Sequence, residues 1–290
     1  MTVTNKNTPE ALVANVVHLT SLPCVYTHLE EILKKPAHTR DDIAEVINID
    51  PALCARTLRI INSSYYALPN TIYNIATAIN LLGEYDLRNI VLVTSVISSV
   101  SALSDEGIDI TQFWRHSIRC GIAAKLLAKT ISIADADLLF LTGLLHDIGQ
   151  LVIYKNEPEL SATIAWHVDH ENKDRNQAEY TLLGFSHPLV GALLLEHWGV
   201  PEPVSEMVKY HHQPELATDY AQETLVVCLA DQLIHFAEKN NEITNSDFAE
   251  LPTLINNYLD RLNISKLILF ELANTAIEQS KAIEEIICND

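Results

Sequence analysis

The second half of the chain concentrates the side chains that could do chemistry. His116, the pair His146-Asp147, His187, the pair His211-His212 and Asp231 stand in segments with helical apolar spacing. Asp231 lies among Val226, Val227, Leu229, Ala230, Leu233 and Ile234, and His146-Asp147 lies between Leu144-Leu145 and Ile148. Segments that apolar should be buried. A buried ionised carboxylate is costly unless a positive or hydrogen-bonding group meets it. A divalent cation held by imidazole and carboxylate from several helices answers both cases at once. Two consecutive residues at a helix end can both point inward, and one carboxylate can bridge two ions about 4 Å apart. The same residue types also fit a plainer arrangement of core histidines hydrogen-bonded to carbonyls, without metal. Residue types alone leave both open, and they leave the ion open among Fe, Mn, Zn, Ni and Mg.

The elements that must position these groups are legible as helices. Leu29, Ile32 and Leu33 share a face in a segment ended by Lys34-Lys35-Pro36. Thr39 followed by Asp42 predicts a capping box for a helix over 42–49, and Asp50-Pro51 predicts the next start. That helix should fray at Asn62-Ser63-Ser64. Asn74 is placed to cap 75–82 and Gly83 to end it, before a helix over 85–103. Beyond the break at Ser104–Gly107, helices are expected from Thr111, from Asp135 through Ile148, over 188–198, 203–212 and 222–239, and twice within 248–287. A polar loop is expected over 170–177. Only 8 glycines and 11 prolines in 290 residues, with no strand pattern, predict an all-α fold. The break divides it into an N-terminal helical subdomain, 1–104, and a bundle, 105–290.

Charge and composition narrow the function. Lys+Arg 19 against Asp+Glu 38 leaves a net charge of −19, which disfavours nucleic acid and anionic lipid as partners. The five cysteines are odd in number and form no CxxC pair, as expected of reduced, mainly buried thiols. The N-terminus lacks a signal pattern, and the apolar stretch at 90–103 is too short and too rich in Ser and Thr to span a bilayer. A soluble cytoplasmic protein is expected.

These segments carry a resemblance. His116, His146-Asp147 and Asp231 are similar to the H…HD…D signature of the HD superfamily of metal-dependent phosphohydrolases. The chain resembles more closely its HDOD (HD-related output domain) branch. SLP at 21–23, DPALCARTLRIINSSYY at 50–66, IATAINLLGEYDLRNIVL at 75–92, FWRHS at 113–117, GLLHDIGQLVI at 143–153 and GFSHPLVGALLLEHWGVPEPV at 184–204 look like HDOD segments in order, over about residues 20–235. The resemblance implies an N-terminal helical subdomain packed on an HD-type bundle, and bacterial signal transduction through an unknown signalling protein or a small phosphorylated ligand. It implies metal ligands at His116, His146, Asp147 and Asp231. His187, His211 and His212 match the extra histidines of HD-GYP phosphodiesterases. Asp147 would be catalytic only in an enzyme. Two departures weigh against catalysis. Gln150 stands where the HD-GYP branch usually has Lys, and Gln213-Pro214 follows His211-His212 where the GYP stretch would begin. A regulatory protein with a divalent-metal site is therefore expected, and a metal-dependent phosphohydrolase is the alternative. With no sensor segment recognised, input is expected from a separate molecule, to a monomer or homodimer.

The remaining candidates have structural expectations. Asn62-Ser63-Ser64-Tyr65-Tyr66 should satisfy a helix end, and Trp114 and Trp198 should be core. His167, His170, Lys209 and Arg119 read as surface, and His197 suits its helix C-terminus. His235, one turn after Asp231, is placed to support that carboxylate. Leu267, Phe270, Leu272 and Ile277 are expected to complete the core, the alternative being a dimer face.

Overall fold

The computed structural model describes residues 8–19, 24–101, 109–171, 173–239 and 251–288, and its regular elements there are all helical. They are α1 (Pro9–Leu19), α2 (Cys24–Leu33), α3 (Arg40–Asn48), α4 (Pro51–Ile61), α5 (Ile75–Leu82), α6 (Glu84–Ser101), α7 (Ile110–Thr130) and α8 (Ala136–Leu145). Then follow α9 (Ile148–Asn156), α10 (Pro158–Glu171), α11 (Arg175–Leu183), α12 (His187–His197), α13 (Glu202–Tyr210), a 3-10 turn at Pro214–Leu216, α14 (Ala221–Lys239), α15 (Thr253–Leu262) and α16 (Lys266–Cys288). The Ser104–Gly107 break and the SLP segment lie outside the described residues.

Two compact units emerge. One takes the described parts of Met1–Leu19 and Leu103–Glu278, the other those of Thr20–Ala102 and Gln279–Asp290. This redraws the expected division at 104/105 at both ends. Helix α1 belongs with the bundle because Leu12, Val13 and Val16 are buried and α1 packs on α9 and α12. The Asn15 amide also donates to Asn156 Oδ1 at 3.1 Å. At the other end, the last residues of α16 group with α2–α6.

The second unit folds on local signals. Thr39 and Asp42 form the reciprocal capping box of α3. Asp50 accepts from the backbone N–H of Ala52 and Leu53 at 2.9 and 3.0 Å, and Asn74 from Thr77 at 2.8 Å. The Asn62 motif differs from expectation. Its amide brackets Ile72, donating to the carbonyl at 2.8 Å and accepting from the N–H at 2.7 Å, so it pins the loop before α5. Ser63 satisfies the helix end by donating to the Ile60 carbonyl.

The first unit departs from the sequence reading in three places. Helix α7 starts before Thr111, because Asp109 caps it by accepting from Gln112 N–H at 2.9 Å. The expected loop at 170–177 shrinks, since α10 runs to Glu171 and Asp174 caps α11. The helix read through Ile148 breaks at His146-Asp147, where Asp147 has φ −97° and ψ 3°. By length and composition 136–156 could cross a membrane, with mean hydropathy 1.4, yet 78% of that window is buried in the fold. In α16 the buried face is Leu269, Ala273, Ala276, Ser280, Ile283 and Ile287, so Leu267, 60% exposed, is not core, and Phe270, Leu272 and Ile277 are half-buried.

Two close helix crossings set the frame of the site. Gly121 on α7 and Gly143 on α8 let those backbones meet: a Cβ on Gly143 would stand 2.8 Å from the Cys120 carbonyl, and one on Gly121 2.8 Å from that of Phe140. Gly149 on α9 does the same against α12, where a Cβ would lie 2.1 Å from the His187 carbonyl. Glycine is required at such approaches because any side chain would force the backbones apart.

Candidate metal centre

The seven residues singled out by type converge within the first unit. His116 comes from α7, and His146-Asp147 from the break between α8 and α9. His187 opens α12, His211-His212 follow α13, and Asp231 lies within α14. The break explains how His146 and Asp147 serve together: a continuous helix would turn consecutive side chains about 100° apart. Trp114 and Trp198 are buried, as expected.

Four of the histidines are oriented in the same way. The Nδ1 of His146 lies 2.8 Å from the Gly143 carbonyl and that of His211 2.6 Å from the Val208 carbonyl. The Nδ1 of His187 meets Glu179 Oε2 at 2.6 Å, and that of His116 meets Glu238 Oε2 at 2.9 Å. A proton donated at Nδ1 leaves the Nε2 lone pair free, and that is how metal-binding histidines are held. Each Nε2 faces another donor atom. His116 Nε2 is 3.3 Å from Asp231 Oδ1, and His187 Nε2 is 3.0 Å from Asp147 Oδ1. His146 Nε2 is 3.4 Å from Asp147 Oδ2 and 3.7 Å from Asp231 Oδ1. His212 closes the ring, with Nε2 3.2 Å from that of His187 and Nδ1 3.8 Å from Asp231 Oδ2.

Lone pairs that face one another need a positive charge between them. Without metal, protons serve. Burial opposes charge on His187, but Glu179 and Asp147 outweigh it and lift its pKa to about 10. Burial likewise opposes His116, which Cys120, Asp231 and Glu238 raise well above the ordinary range. Burial would raise both carboxyls, yet His146 and His187 hold Asp147, and His116 and His146 hold Asp231, well below the usual carboxylate range. His211 goes the other way, pushed well down by burial and by His212, His146 and His187.

Within the cluster, two buried atoms make no hydrogen bond, His146 Nε2 and His211 Nε2. Each such orphan costs about 1–3 kcal/mol. Both point into the cluster, and a cation would satisfy both. The donor atoms form two groups, His116, Cys120, His146 and Asp231 in one, Asp147, His187, His211 and His212 in the other, each within 4.8 Å of its fellows. Imidazole, carboxylate and thiol donors in that mixture suit a divalent transition metal. The residues fit the ion.

Three participants escaped the sequence reading. Glu238 follows Asp231 by seven residues, two turns along one face of α14, a spacing that could have revealed it. Cys120 follows His116 by four. Glu179, only 1% exposed, left no such signal, since α11 is a different helix from α12. Two assignments change. His235 is exposed and stands edge-on to the His116 ring at 6.4 Å, and the acid that orients His116 is Glu238. Arg119 is no solvated surface residue, because its side chain is 17% exposed and donates to Glu238 at 3.3 Å. Lys209, His197 and His170 are exposed, and half-buried His167 pairs with Glu171.

Known proteins share this scaffold. The sequence matches the family described as HDOD domain over residues 19–214. It is 26% identical to the crystal structure of a "Putative phosphohydrolase" from Shewanella amazonensis SB2B, with TM-score 0.76 over 95% of this chain and 97% of that one. A Geobacter sulfurreducens HDOD domain protein with unknown function shares the fold at 24% identity and TM-score 0.74, over 95% and 97% of the two chains. An uncharacterized protein of Treponema pallidum (strain Nichols) is 25% identical over 222 residues, 75% of this chain and 42% of that protein. The present chain thus spans about two-fifths of that relative's length.

Proposed function

Because the chain belongs to the HDOD family, we propose that it is a regulatory protein of the bacterial cytoplasm. Its buried divalent-metal centre sets the shape that a signalling protein or a small phosphorylated ligand recognises. The observation that carries this reading is that the buried group Asp147, His187, His211 and His212 already brings four protein donors together. Sites closed by four protein donors are structural, whereas catalytic sites keep a position for water or substrate. Gln150 offers no positive charge to a phosphate, and Arg119, one turn after His116, is bonded to Glu238.

A second reading, metal-dependent phosphohydrolysis, has its own support. Asp147 directs Oδ2 toward His146 of one group and Oδ1 toward His187 of the other, as a bridging carboxylate would. Bound ions would supply Lewis-acid activation of water and of a phosphoryl oxygen.

Metal analysis and turnover separate the two. Wild-type protein should carry stoichiometric metal that Asp147→Ala loses. With Mn²⁺, Fe²⁺ or Mg²⁺ it should not turn over a panel of phosphodiesters and nucleotides. Robust hydrolysis abolished by Asp147→Ala would replace the regulatory reading with the catalytic one.

A further inference from the structure

We propose that the Cys120 thiolate is a metal ligand, completing with His116, His146 and Asp231 a four-donor site for a thiophilic divalent ion. The inference rests on the reading of these residues as a metal centre and adds the sulfur that selects the ion. A buried cysteine is usually a small apolar filler. Cys228, 2% exposed, lies outside both donor groups. Cys120 differs in what its sulfur faces. It lies one turn beyond His116 on α7, is 1% exposed, and sets Sγ 3.4 Å from His116 Nε2. The second indication is independent of the cysteine: His146 Nε2, fully buried and making no hydrogen bond, lies 3.7 Å from Asp231 Oδ1 of the same group.

Three of the six donor separations match those around one ion, and all six lie within 4.8 Å. Bonds of about 2.0 Å to nitrogen or oxygen and 2.3 Å to sulfur place tetrahedral donors roughly 3.3 Å apart, or about 3.5 Å where one is sulfur. The corresponding separations are 3.4 Å for Cys120 with His116, 3.3 Å for His116 with Asp231 and 3.7 Å for His146 with Asp231. The α7–α8 crossing fixes the backbone at this point, since the Cys120 carbonyl lies against Gly143. On binding, the S–H bond breaks, its electron pair becomes the sulfur–metal bond, and the proton passes to buffer. Thiolate ligation favours Zn²⁺, Co²⁺ or Fe²⁺ over Mg²⁺.

Cobalt substitution of the full chain tests this directly. Co²⁺-loaded wild type should show a near-ultraviolet thiolate-to-cobalt charge-transfer band that Cys120→Ser and Cys120→Ala lose, the other cysteines being retained. A stoichiometric cobalt protein without the band, or a band that persists in Cys120→Ala, overturns the ligand assignment and leaves the metal centre standing. Failure of the wild type to bind cobalt at all overturns the metal reading beneath it. Should the variants not fold, X-ray absorption of the Zn²⁺-loaded wild type serves instead. A sulfur scatterer at about 2.3 Å supports the proposal, and a shell of nitrogen and oxygen alone refutes it.

Discussion

The two units handle buried polarity in opposite ways. In the unit holding α2–α6, the buried polar residues among those described are neutral: Thr57, Asn89, Thr94, Ser95, Ser99 and Ser280. Thr94 donates to the carbonyls of Ile90 and Val91, at 2.8 and 3.0 Å, and thus finds its partners one turn back on its own helix. The hydroxyls of Thr57 and Ser95 stay without a partner, at a cost of about 1–3 kcal/mol each, which a large apolar core can absorb. One charged pair there, Arg88 and Glu30, keeps its side chains 19% and 18% exposed. The other unit buries carboxylates, and no local bond can neutralise those. Asp147, Asp231 and Glu179 are each met by histidines from other helices or from across a turn. Neutral polar groups can be placed one at a time. Buried charges arrive only as a set.

That contrast can be broken or sharpened. The largest effect is expected for Asp231→Ala, which leaves His116 and His146 facing an empty space. Removing one partner of a buried charge pair should cost about 3–5 kcal/mol in chemical denaturation and reduce bound metal to trace levels. An unchanged midpoint and metal content would show that the cluster is not a coupled set. Next comes Glu179→Gln, which keeps an acceptor for His187 Nδ1 but removes its charge. Metal affinity should fall by about 10- to 100-fold in a competition titration. In the other unit Asn74→Ala deletes a cap and should cost about 1 kcal/mol, with metal content unaltered. Coupled metal loss in that variant would contradict the separation drawn here.

The smallest effect is a pH dependence in the α2–α6 unit. His38 Nε2 meets Glu84 at 3.0 Å and Nδ1 meets the Lys35 carbonyl at 2.7 Å, so only the protonated ring donates to both. The Glu84 bond, then the Lys35 bond, raises its pKa in the folded state. Its contribution is therefore full below the ordinary histidine value of about 6.5 and is lost as pH rises through the raised one. Wild type minus His38→Ala, compared by denaturation between those limits, should decline with rising pH. A flat difference would count against the paired, protonated ring.

Much of this was legible in the order of residues. The caps at Thr39, Asp50, Asn74 and Asp135 could be read because each completes its bonds within three residues. Asp231 and His146-Asp147 could be marked because a charge inside an apolar run is an anomaly whatever the fold. The break between α8 and α9 was not legible: Leu144 to Ile148 keeps a helical apolar pattern, and the kink follows from His146-Asp147 turning into the cluster. The place of α1 was hidden as well, since its apolar face names no partner.

The sequence by itself determined that the chain is helical, where several helices begin, and which acids and imidazoles must find opposite charges. Tertiary structure alone decided which of them meet, that Glu179 and Glu238 orient the rings, and that Cys120 turns its sulfur toward His116 rather than into an apolar core. The reason is distance along the chain. Caps and amphipathic faces are written within a few residues, whereas a shared centre depends on helix crossings such as Gly121 with Gly143 and Gly149 with Gly191, where backbones touch across intervals that no local pattern records.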